Sequence, residues 1–170
     1  SMAKNGLLPR QSVMQWLENL SRGQLIARRV QNIKGSVREA AQNKHQNWLM
    51  VYGGGSIAGL AIDIELRKRT ANQLGLEELM QTMYRDFAIK QKPYQLDDII
   101  AAASKLTSSD FSEVIKKLVQ SNDAIELAPI FDGVGLQLEQ YLLLEHNLLN
   151  KAKPTPEERE RFQKIFGIPL

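Results

Sequence analysis

Apolar residues recur three and four positions apart through most of this chain, the period of a helix that buries one face. Pro9 and Ser12 can open the first helix, in which Val13, Trp16, Leu17 and Leu20 follow at helical spacing. Leu25, Ile26, Val30 and Ile33 extend the stripe beyond Gly23, where a bend or interruption is expected. After the break at Gly35-Ser36, "SVREAAQNKHQ" predicts a short helix capped by Ser36, with Glu39 placed to close a capping box. "NWLMVY", residues 47–52, is the only stretch that could be a strand, and it reads as easily as an extended linker or a helix end.

Three glycines, Gly53 to Gly55, then lead into Ile57, Leu60, Ala61, Ile64 and Leu66, a buried helix that carries Asp63, Glu65 and Arg67. "LEELMQTMYRDFAIK" predicts the next helix, with Leu76, Leu79, Met80, Met83 and Phe87 on one face. Pro93 closes it, because the residue before proline disfavours helical backbone. "QLDDIIAAASKL" and "SSDFSEVIKKLV" predict two more, the second with Ser109 as its N-cap. "IELAPIFDGVGL" reads as a short helix ended by glycine, while 138–149 is leucine-rich and fits either helix or strand. The last helix, at about 156–166, is fully punctuated: Thr155 as cap, Pro156 at the first position, Glu158 closing the box, Gly167 after the end. The fold class is therefore all-α, an irregular multi-helix array in one domain over 1–170, with at most one short strand near 47–52.

Composition narrows the function classes. With 170 residues, 43% of them hydrophobic and 24% charged, the chain is long enough for one core-bearing domain. Its 22 basic and 19 acidic residues are interspersed rather than gathered into a basic stripe, which argues against nucleic acid as a partner. Arg28-Arg29 and Arg67-Lys68-Arg69, the densest basic groups, read as exposed helix faces or ends. There is no cysteine, which removes disulfides, thiolate metal sites and cysteine nucleophiles and accords with a cytoplasmic setting. No stretch reaches the ~18 to 20 apolar residues of a membrane span. "SMAKNGLLPR" has no long apolar core behind its lysine, so no secretory signal is expected there.

The glycines invite a phosphate-binding reading, since Gly53-x-Gly55-x-x-Ala58 fits the loose dinucleotide pattern. That pattern needs a parallel strand after the helix, and "NQLGLEELMQTMYRDF" has helical periodicity instead. No Gly-Lys-Ser/Thr follows the glycines, so a P-loop fails too. Glycines also serve where a helix must begin against a neighbouring backbone.

The run "YGGGSIAGLAIDIELRKRT" resembles a segment of the glycyl aminopeptidase family of zinc metallopeptidases. There a tyrosine, any residue, lysine and glycine precede a buried helix reading roughly Leu-Asp-Leu-Glu-Leu-Arg. Tyr52, Gly55, Asp63, Glu65, Leu66 and Arg67 fall in those places, and the family's lysine is Gly54 here. "NGLLPRQSVMQWLENL", "SVREAAQNKHQNWLMVY", "GLEELMQTMYRDFAIKQKPYQLDDIIAAASKL" and "DFSEVIKKLVQSNDAIELAPIFDGVGLQL" extend the resemblance over most of 5–138. The sequence contains no His-Glu-x-x-His, and its two histidines, His45 and His146, have no partner at i+4. The PDZ module common at the family's C-terminus is replaced by the leucine-rich stretch and the "PTPEERERF" helix, so 139–170 reads as a C-terminal extension.

The resemblance implies the helical C-terminal part of such a peptidase. It implies no cofactor in this chain, with zinc held by an upstream metal-binding half of the same polypeptide and a peptide as substrate. It gives Tyr52 the role of stabilising the oxyanion of the attacked peptide carbonyl, with Gly53, Gly54 and Gly55 lining the substrate cleft. As residues alone, Tyr52 can equally pack its ring at a helix end with its hydroxyl at the surface. Asp63 and Glu65 cannot face one site together, and Glu77-Glu78 and Asp97-Asp98 read as first-turn caps. His45 reads as a surface histidine, Ser56 has no histidine base, and Trp16 and Trp48 read as core anchors. The alternative function is a stand-alone helical protein-interaction domain without catalysis, in which "LEQYLLLEHNLL" buries against a partner or a second copy.

Overall fold

The computed structural model describes residues 8–141 and 145–170. Among them are eight α-helices: α1 (Arg10–Arg29), α2 (Val37–Ala40), α3 (Gly55–Arg69), α4 (Leu76–Met83), α5 (Leu96–Thr107), α6 (Ser112–Gln120), α7 (Leu127–Asp132) and α8 (Pro156–Phe166). One antiparallel pair, β1 (Leu136–Tyr141) and β2 (Glu145–Asn150), completes the array, in register from Leu136 opposite Asn150 to Tyr141 opposite Glu145. The mostly helical expectation holds. Asn5 to Leu7 of the peptidase-like stretch, and Leu142 to Leu144 of the leucine-rich run, lie outside the described residues.

α3 organises the rest because it is apolar on more than one side. Ile57 and Ile64 face a core made with Val13, Met14 and Leu17 of α1, Ile130 and Phe131 of α7, the hairpin's Leu136 and Leu148, and Phe162, Ile165 and Phe166 of α8. Ile62 and Leu66 face a second core made with Leu79 and Met83 of α4, Ile100 and Ala103 of α5, and Phe111 and Ile115 of α6. A helix that is apolar all round has no solvent face to keep, so it becomes the axis on which other elements pack. Each fully buried large side chain contributes roughly 1.5 to 3 kcal/mol, and the two cores hold most of them. The C-terminal extension thus supplies α8 to the same core as α1.

The strand expected over 47–52 is helical. Helical backbone begins at residue 48, passes through a π-helical turn at Met50–Gly54 and continues into α3. Met50, Gly54, Ile57 and Ala58 are buried at three- and four-residue spacing, so packing along a helix overrides the local strand propensity of "LMVY". The extended structure lies instead in β1 and β2, which take in the described residues of the ambiguous stretch 138–149, and Leu136 and Leu148 are buried in the core.

The caps follow the chain closely. Ser36 and Glu39 form the reciprocal box (3.1 and 2.8 Å), as do Thr155 and Glu158 (3.2 and 2.9 Å). Glu78 accepts from the Gly75 N–H (2.7 Å) and Asp98 from the Gln95 N–H (2.7 Å), so these acids do cap. Ser109 does not cap α6. The N-cap is Phe111, which has no side-chain bond to offer; Asp110 before it accepts from the first N–H of the helix, Ser112 N, through Oδ1 (2.9 Å), while Ser109 bonds Thr107 and Arg69. Gly23 does not break α1, which runs for 20 residues.

Candidate functional site

Around Tyr52 the chain brings two helices into unusually close contact. α1 crosses the helix of residues 48–69 where Gly23 meets Gly53. A Cβ on Gly53 would lie 3.1 Å from Gln24 N and 3.3 Å from both Gly23 C and Leu20 O, all α1 backbone. Gly54 is nearly as confined, its Cβ position being 3.2 Å from Val37 Cγ2 and 3.4 Å from Met50 Sδ. Nothing lies within 4 Å of the corresponding position on Gly55. The glycines are therefore interior to a helix that began earlier, and the first two sit there because of what packs beside them. The Gly55 N–H bonds to the carbonyls of Tyr52 and Val51, so it is not free for a phosphate, and α3 leads to α4 rather than to a strand.

Tyr52 occupies the π-helical turn itself and is 64% exposed. Its hydroxyl has no hydrogen-bond partner among the described residues. Four residues earlier on the same face, Trp48 is 53% exposed, and Trp16 on α1 is 52% exposed. Both tryptophans were expected in the core. The α1 core stripe is instead Val13, Met14, Leu17, Ser21 and Gln24, one position round from the apolar stripe that includes Trp16. The one sequence signal for this aromatic face was the i, i+4 spacing of Trp48 and Tyr52. His45 is exposed in a turn just before the helix, as expected.

The acidic and basic residues of α3 are structural. Asp63 is only 9% exposed and Arg67 4%, and Arg67 Nε lies 3.0 Å from Asp63 Oδ1. The contact is an ion pair rather than an aligned hydrogen bond. Asp63 Oδ1 also accepts from the Leu76 N–H (2.8 Å), so the pair ties α3 to the start of α4. It leaves no room for a side chain at residue 75, where a Cβ would fall 2.3 Å from Asp63 Oδ1. Glu65 points elsewhere, to Arg69 (2.8 Å), which stacks on the Phe111 ring at 4.6 Å.

The two basic groups are thus not simple exposed faces, since Arg67 is buried and Arg28 staples a loop. Arg28 donates to the carbonyls of Ile33 (3.0 Å), Gly35 (2.9 Å) and Asp123 (3.1 Å). Burial pushes its guanidinium below the ordinary arginine value and Asp123 pulls it back, and the group stays cationic.

Among the described residues, no three His, Cys, Asp or Glu side chains gather as a metal ion would require. The zinc that the resemblance implies has no seat among them. No helix of the described residues is long and apolar enough to cross a membrane. The chain matches no family model, no curated protein and no solved structure among those compared with it.

Proposed function

We propose that this chain is the helical part of a metallo-aminopeptidase, one wall of the cleft in which the N-terminal bond of a peptide is hydrolysed, and catalytically silent alone. One observation supports the reading above the others. The tyrosine that the resemblance selects stands, exposed and unpartnered among the described residues, on a π-helical turn inside an otherwise regular helix. Such turns give poorer local bonding than an α-helix and recur at functional sites. A hydroxyl that projects unpaired from this turn is free to donate to a carbonyl oxygen as negative charge builds on it. A single donor of that kind contributes roughly 3 to 4 kcal/mol to the transition state. Metal ligands belong to the upstream half of the same polypeptide, in a cytoplasmic setting that accords with the cysteine-free composition.

The test is Tyr52→Phe in the intact polypeptide with a small N-terminal peptide substrate. We expect kcat to fall about 10²- to 10³-fold with little change in KM, the pattern of a contact made only in the transition state. An unchanged kcat, or a natural reading frame with no His-Glu-x-x-His upstream, overturns the reading.

A second reading draws on the aromatic face. Trp48 and Tyr52, each more than half exposed and four residues apart on one helix, form the kind of surface that a protein partner covers, and a non-catalytic interaction domain would use it so.

A further inference from the structure

On the far side of α3 from the Tyr52 end, a groove of about 290 Å³ runs between α3, α6 and α7. Its floor is apolar, built from Ile64, Leu118, Ile125 and Ile130. Lys68 and Lys117 stand on its rim, both exposed. The Lys68 stem lies along Gly133, with Cε 3.3 Å from where a Cβ would sit there, so its ammonium is carried beside the groove.

The charges around this floor are unevenly committed. Among the described residues, neither Lys68 nor Lys117 has an ion-pair or hydrogen-bond partner. The acids are mostly engaged. Glu65 is bonded to Arg69 at 2.8 Å, and Asp123 accepts from Ser121 Oγ at 3.1 Å and faces Arg28. Glu126 is the remaining rim acid. Two uncommitted cations therefore face one uncommitted anion over a greasy floor.

We propose that this groove binds an amphipathic carboxylate: an unbranched acyl chain on the apolar floor, with its carboxylate between Lys68 and Lys117. The volume corresponds to roughly ten water-sized units, which fits a chain of about eight to ten carbons. An apolar cleft with a few well-placed polar groups is the ordinary form of a small-molecule site. A cationic or neutral amphiphile fits the rim less well, because it leaves both ammonium groups unpaired. The site is separate from the proposed cleft. Ala61 and Lys68 lie 9 and 16 residues beyond Tyr52 on one continuous helix, roughly 14 to 24 Å at 1.5 Å per residue.

The experiment is a titration of the ¹⁵N-labelled chain with hexanoate, octanoate and decanoate, read by amide chemical shifts. Shifts are expected along 61–68, 114–121 and 124–130, with affinity rising roughly two- to fourfold per added methylene. Decanol is expected to bind at least fivefold more weakly than decanoate. The double variant Lys68→Gln/Lys117→Gln, at two exposed positions where folding is not at risk, should bring decanoate down to the level of decanol. Ala61→Phe, which fills the groove from α3, should abolish binding of both. The proposal is overturned by equal affinity for decanoate and decanol, by full decanoate affinity in the double variant, by shifts centred elsewhere, or by no shifts at millimolar ligand. None of these outcomes depends on catalysis, so this inference and the peptidase reading can fail independently.

Discussion

The three glycines at 53–55 look equivalent in sequence and are not equivalent in space. Gly53 faces α1 backbone at 3.1 to 3.3 Å, and backbone does not yield as a side-chain tip would. Gly53→Ala is therefore expected to cost about 1 to 3 kcal/mol, the range for overpacking a tight contact. Gly55 has nothing within 4 Å, so Gly55→Ala should stabilise by about 0.5 to 1 kcal/mol through helix propensity alone. Urea unfolding of the two variants, compared at equal m-value, checks the pair. If both shift the midpoint the same way, the Gly23–Gly53 crossing is not the reason for the triplet. The triplet itself was visible in the sequence, but its cause was not, because the neighbour that needs Gly53 lies about thirty residues away on α1. Asp63 and Arg67 stand four residues apart, yet Arg67 reads in sequence as part of an exposed basic group, because the burial of the pair depends on α4 closing over it at Gly75. Asp63→Ala would leave Arg67 buried without its counter-charge, at an expected cost of about 3 to 5 kcal/mol by thermal or urea unfolding. A loss below 1 kcal/mol would mean that Arg67 can reach solvent.

At the scale of elements, legibility followed how local the determining interaction is. Capping boxes span three residues, so those at Ser36 and Thr155 could be read directly. The start of α6 could not be, because Ser109 and Asp110 are both capping residues one step apart and the choice falls to tertiary contacts. Arg69 of α3 holds Ser109 Oγ (3.1 Å) and the Asp110 carbonyl (2.6 Å), which leaves the Asp110 carboxylate to meet Ser112. The Ser112 N–H, then the Ser112 hydroxyl, hold that carboxyl below its ordinary value. A depressed carboxyl stabilises the fold at pH values above its unfolded value, near 4, and that contribution is lost as acid protonates the folded form. The stability difference between the wild type and Asp110→Ala should accordingly be full at neutral pH and shrink toward zero as pH falls below about 4. A difference that stays constant to pH 2 would assign the effect to helix propensity instead. The misplaced strand at 47–52 has the same origin as the misplaced cap: "LMVY" is locally ambiguous, and α1 packing against Met50 and Gly53 decides it.

For the whole molecule, the central question is what meets the face of Trp48 and Tyr52, and the exposed Trp16 of α1. None of the three rings belongs to a buried core, so they are exposed at a cost that no internal packing recovers. The two tryptophans are the only ones in the chain, one on that face and one on α1, which makes its fluorescence a direct report on both surfaces. In dilute solution both indoles, each about half exposed, should be readily reached by a neutral quencher such as acrylamide. If the face joins a second copy, as the interaction-domain reading requires of a self-associating module, quenching should weaken as protein concentration rises, and Trp16→Ser/Trp48→Ser should remain monomeric. If the face belongs instead to the upstream half of a peptidase, quenching should not depend on concentration in the isolated chain. Trp16→Ser/Trp48→Ser should then leave its stability within about 0.5 kcal/mol, since neither ring is in the core. In the intact polypeptide the same substitutions should loosen the docking of the helical part and raise its susceptibility to proteolysis near the junction. Indoles already shielded at the lowest concentration would contradict both arrangements, because they would require burial within the monomer.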